Sequence, residues 1–63
     1  MNHNQETLEE EAARATEFLR GKTVLNVWRH RDGEVVIQFN DGTRFFASAL
    51  NDSLELSITG TPE

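Results

Sequence analysis

Few side chains in this sequence could do chemistry. It has two histidines and no cysteine or tyrosine, so thiol nucleophiles, thiolate metal ligands and phenolic acids are all excluded. His30 precedes Glu34 across an Asp-Gly step. In a hairpin the two would face each other as a base and its orienter. A surface ion pair at a hairpin end, which contributes little, explains the spacing equally well. Ser48, Ser53 and Ser57 have no histidine within expected reach, and the glycines read as turn chemistry rather than a phosphate loop. Asp32, Glu34 and Asp41 do not follow calcium-loop spacing. Asn51-Asp52-Ser53 matches a glycosylation acceptor, which matters only on a secreted chain.

One weak metal site can be written down. Met1-Asn2-His3 offers a terminal amine, backbone nitrogens and the His3 imidazole, a set suited to square-planar Cu²⁺ or Ni²⁺. Any chain with histidine third has it, and a frayed tail is the simpler reading. No cofactor is implied. A fold this small also offers little room for a ligand pocket of about 300 Å³, so no small-molecule substrate and no enzymatic activity are expected.

Charge narrows the partners. Eleven acidic and six basic residues give −5, which disfavours a nucleic-acid backbone as the main partner because that contact needs clustered Lys and Arg. No apolar run approaches the ~20 residues of a membrane span. The segment MNHNQETLEEE lacks the basic and apolar regions of a signal peptide. The absence of cysteine fits a reducing compartment. The expectation is a cytoplasmic, membrane-free protein.

The elements come next. Sixty-three residues suffice for one small domain. Residues 1–6 read as a flexible tail and 60–63 as another. Residues 7–20 read as a helix: Thr7 and Glu10 fit a capping box, Glu9, Glu10 and Glu11 sit at the positive end of its dipole, and Gly21 suits a left-handed C-terminal cap. Leu8, Ala12, Ala15 and Leu19 form an apolar stripe at helical spacing, with Phe18 on its flank. Residues 23–59 read as sheet, with strands expected at Thr23–His30, Glu34–Phe39, Thr43–Ala49 and Leu54–Thr59. The fold class is α+β: one N-terminal helix packed on a four-stranded antiparallel meander, α-β-β-β-β.

Asp32-Gly33 and Asp41-Gly42 set the register. Two-residue loops would place Val27 opposite Gln38 and Asn26 opposite Phe39, mixing polarity on each face. Three-residue loops, Arg31-Asp32-Gly33 and Asn40-Asp41-Gly42, each closed by a left-handed glycine, give the rows Val27–Ile37–Phe45, Leu25–Phe39–Thr43 and Asn26–Gln38–Arg44. These sort by polarity, so the bulged register is expected. A four-residue loop from Leu50 to Ser53 then puts Leu54, Leu56 and Ile58 on the face of Ala49, Ala47 and Phe45. The helix is expected to cover this face, because about 13 helical residues match a six-residue strand in length.

The opposite face is polar except for one row, Trp28–Val36–Phe46, bordered by Arg44, Gln38 and Asn26 on one side and by His30, Glu34 and Ser48 on the other. Such a row either stabilises the sheet by cross-strand contact or anchors a partner, since aromatics and arginine inside a polar rim are usual interface anatomy. The expected function is a non-enzymatic protein-interaction or self-associating module, with a protein partner or a second copy in a homodimer, using Trp28, Val36, Phe46, Arg44, His30 and Gln38. The alternative is a single-stranded nucleic-acid module stacking bases on the same aromatics. Glu34 and Glu55 interrupt the basic patch that alternative needs.

Overall fold

A computed structural model describes residues 7–60. The expected architecture is present: helix α1 (Leu8–Leu19), then strands β1 (Val24–Trp28), β2 (Glu34–Phe39), β3 (Arg44–Leu50) and β4 (Ser53–Thr59), in one antiparallel sheet of order β1-β2-β3-β4. The helix starts where its capping box places it. The Thr7 amide donates to Glu10 Oε1 at 3.1 Å and the Glu10 amide donates to Thr7 Oγ1 at 3.0 Å. Gly21, at φ +80, turns the chain out of the helix in the left-handed conformation glycine adopts freely.

The central hairpin forms as expected. The Gly42 amide donates to the Phe39 carbonyl and the Phe39 amide to the Thr43 carbonyl. Gly42 has φ +95, the left-handed residue of a three-residue loop. Val36 opposes Phe46, Ile37 opposes Phe45 and Gln38 opposes Arg44.

The first hairpin differs. Val27 opposes Ile37 and Trp28 opposes Val36, as the bulged register requires, but β1 stops at Trp28 and Gly33 is not left-handed. The Glu34 amide donates to the Arg31 carbonyl, and Arg29 donates from Nε to the Glu34 carbonyl and from Nη2 to the Asp32 carbonyl. A guanidinium thus satisfies the Glu34 carbonyl, opposite the position a longer β1 would occupy, and the loop carbonyl of Asp32. At the other end of β1 the expected pair Leu25–Phe39 is replaced by Val24–Phe39, with a bulge at Leu25 between Val24 and Asn26. The last hairpin is tighter than expected. Leu50 pairs with Ser53, leaving a two-residue turn in which Asn51 takes φ +56, a conformation asparagine tolerates. Ala49 still opposes Leu54, so the facing of β4 is as expected.

The main departure is in cover. Among the described residues the buried apolar side chains are Val36 and Phe39, at 3% and 6% exposure. Glu11, Ala15 and Leu19 are the half-buried positions of α1, whereas Leu8 and Ala12 are exposed. The packing side of the helix is therefore rotated away from the expected stripe. Ala15 and Phe18 meet Leu56 and Ile58 of β4 around an open cleft of about 200 Å³. Toward β1 the cover ends: Leu25 and Val27 are 58% and 57% exposed, and Leu54, near the far end of β4, is 63% exposed.

One tie joins the helix exit to the central turn. Lys22 Nζ donates to Asp41 Oδ2 at 2.5 Å, and Asp41 Oδ1 accepts from the Thr43 amide at 3.0 Å. Lys22 first, then the Thr43 bond, holds the Asp41 carboxyl well below the ordinary carboxylate range. A carboxylate with a depressed folded value stabilises above its unfolded pKa near 3.9 and loses that contribution as pH falls below it. Asp41→Asn is expected to lower the thermal midpoint at neutral pH and to flatten its decline between about pH 5 and pH 2. An acid limb identical to that of the parent would show that the tie carries no stability.

Candidate functional site

The sheet brings Trp28, Val36 and Phe46 together in one row across β1, β2 and β3. Period-two alternation accounts for this, since all three occupy the face opposite Val27, Ile37 and Phe45. Within the row Val36 is the most enclosed apolar residue of the described chain, while Trp28 and Phe46 are half-buried. The two rings flank the valine from the neighbouring strands.

The polar neighbours complete the closure. Arg44 sets its guanidinium carbon 5.7 Å from the centroid of the Trp28 ring, a cation–π arrangement. His30 stacks beside the same ring, with centroids 6.4 Å apart and planes 15° apart. Gln38, paired with Arg44 along the strands, accepts from Asn26 Nδ2 at 3.2 Å. The six candidate residues Trp28, Val36, Phe46, Arg44, His30 and Gln38 thus form one patch.

The expected His30–Glu34 facing does not form, because β1 ends two residues short of His30. Glu34 instead meets Arg31 at 3.4 Å and accepts from Ser48 Oγ at 3.4 Å. No base and orienter are assembled there, and Ser48 lies beside a carboxylate rather than an imidazole. Among the described residues no group of three His, Cys, Asp or Glu could hold a metal ion. The proposed His3 chelate lies outside the described residues.

Room for a ligand exceeds the sequence expectation. A trough of about 460 Å³, lined by Arg31, Phe46, Ser48, Leu50, Glu55 and Ser57 among others, runs along the same face over β3 and β4. It is half open, and Leu50, Glu55 and Ser57 are exposed. It brings together one cation and one carboxylate with no nucleophile activated by a base.

Sequence reasoning missed two features. One is Arg29, which holds the first loop by its carbonyls; with Arg31 also before Asp-Gly, nothing in the sequence singles out Arg29 for that. The other is the exposed apolar flank of β1 at Val24, Leu25 and Val27, which follows from comparing widths: one helix about 10 Å across cannot cover four strands ~4.8 Å apart.

No helix among the described residues is long and apolar enough to cross a membrane. In comparisons with known proteins, no family model matches the chain, and neither a curated protein nor a solved structure matches it.

The burial contrast gives a direct test of which face holds the sheet together. Val36→Ala is expected to cost about 1–3 kcal/mol of unfolding free energy, because a buried side chain loses its contacts. Val27→Ala, more than half exposed, is expected to cost less than about 1 kcal/mol. Equal losses in denaturant titrations would overturn this ranking of the two faces.

Proposed function

We propose that this chain is a small non-enzymatic protein-interaction module, and that its contact surface is the uncovered β1 flank. The observation that carries the reading is the imbalance of burial. Among the described residues Val36 and Phe39 are the buried apolar side chains, while Val24, Leu25 and Val27 lie together on one strand, each more than half exposed. Scattered exposed apolar residues are ordinary, but several on one strand mark a contact surface.

The Trp28–Val36–Phe46 row supports the fold in this reading. Its valine is enclosed, and its tryptophan already has Arg44 and His30 against it. That arrangement also weakens the single-stranded nucleic-acid alternative, because a base stacking on Trp28 would have to displace both neighbours, with Glu34 and Glu55 nearby on the same face. Placement in the cytoplasm belongs to the same proposal and rests on the cysteine-free sequence.

Site-specific photocrosslinking in cells tests the surface. A photoreactive residue at Leu25 or Val27 is expected to give a discrete protein adduct that is lost in Val24→Ser. Adduct yields at Leu25 and Val27 no higher than at the exposed polar position Asp32 would refute the β1 flank as a contact site.

A further inference from the structure

The two edges of the sheet are unlike. β1 carries a bulge at Leu25 and is followed by the arginine-capped loop; a bulge twists an edge away from further pairing and is a common way of blocking one. β4 has neither device. Its seven residues, Ser53 to Thr59, pair with β3 at every position without a bulge. It contains no proline and no lysine, and its one charge is Glu55. It pairs with β3 alone, so its outer edge offers a row of backbone donors and acceptors that the sheet does not use.

The β4 sequence also complements itself. We propose that β4 pairs with β4 of a second copy, antiparallel and centred on Leu56, joining two four-stranded sheets into one continuous sheet. In this register Leu56 meets Leu56, Leu54 meets Ile58, Glu55 meets Ser57 and Ser53 meets Thr59. Apolar residues meet apolar ones, polar meet polar, and all seven positions are used. A shift of one residue sets the apolar face of one strand against the polar face of the other. Centring on Glu55 sets the two carboxylates against each other, which is unfavourable. Centring on Ser57 leaves Leu54 without an apolar counterpart.

The surrounding structure fits the same occupant. The two-fold axis stands perpendicular to the sheet, so both helices lie on one side of it. Leu54, 63% exposed, arrives beside Ile58 of the other copy, at the cleft that Ile58 shares with Ala15 and Phe18. Symmetry makes the contact twice. Ser53, Leu54, Glu55, Ser57 and Thr59 are all exposed in the single chain, and the cleft along Leu56, Ser57 and Ile58 is open.

Exposed charges give a test that leaves the fold in place. Wild type is expected to sediment at twice its 7.2 kDa mass at high micromolar concentration. Ser57→Glu, which sets like charges opposite each other twice, is expected to weaken the dimer about tenfold or more, with its circular dichroism unchanged. The double variant Glu55→Lys/Ser57→Glu restores opposite charges and is expected to dimerise again. A wild type of monomeric mass up to 1 mM overturns the proposal, as does a dimer indifferent to Ser57→Glu. Should the dimer instead dissociate in Val27→Ser alone, self-association runs through the β1 flank: β4 pairing fails while the proposed contact surface stands. Absence of crosslinks at Leu25 and Val27, with the charge-swap rescue intact, is the converse result.

Discussion

The structure is governed by a mismatch of widths. Four strands ~4.8 Å apart present roughly 19 Å of sheet, and a helix is about 10 Å across. A single α1 can shelter half of one face. It lies on the β4 side, against Leu56 and Ile58, and leaves the β1 side bare at Val24, Leu25 and Val27. The usual two-layer division into a buried face and a wet face is therefore incomplete. Stability has to come from the strands themselves, and the burial of Val36 on the face away from Val27 and Ile37 is a consequence. With little cover available, Trp28 and Phe46 enclose their central neighbour, and Arg44 and His30 close over the tryptophan.

Much of this was legible in the sequence, because the decisive signals were local or periodic. The capping box at Thr7 and Glu10, the left-handed glycines at Gly21 and Gly42, and the alternation that aligns Trp28, Val36 and Phe46 each depend on a few neighbouring residues. Polarity matching across the central turn chose the right register, since a one-residue slip would have exchanged faces. The first loop departs from expectation because a side chain close in sequence, rather than the Asp-Gly step itself, shapes it. Asp32-Gly33 resembles Asp41-Gly42 in composition, but Arg29 bonds the carbonyls of Asp32 and Glu34 and the loop settles into another shape. The central turn has a different anchor, Asp41, held by Lys22 and the Thr43 amide. Two similar dipeptides thus diverge through the side chains that reach them.

The extent of cover is legible only across the strands. Helix and strand lengths match along one axis, while exposure is decided along the other. The helix stripe shows the same limitation. Leu8 and Ala12 belong to it by periodicity, yet the half-buried positions are Glu11, Ala15 and Leu19, because the helix leans on one edge strand rather than over the centre of the sheet. Hydrophobic periodicity identifies a face that can be buried; the area available to bury it belongs to the whole assembly of elements.

The unlike edges follow from the same mismatch and separate two kinds of contact. The apolar side chains left bare on β1 lie on a strand whose backbone is bulged, so a partner there would be held by side-chain packing rather than strand addition. On β4 the side chains are modest, mostly serine, threonine and one glutamate between the leucines, while the backbone is regular over seven residues. Any contact there would be held by main-chain hydrogen bonds, with specificity from alternate side chains. Pairing two copies through β4 buries Leu54, the most exposed large apolar residue of the sheet, and leaves both β1 flanks at the outer ends of the joined sheet, on the same side as the helices. A dimer built this way would carry two copies of the β1 surface, and a partner with two matching sites would bind it with avidity set by their separation.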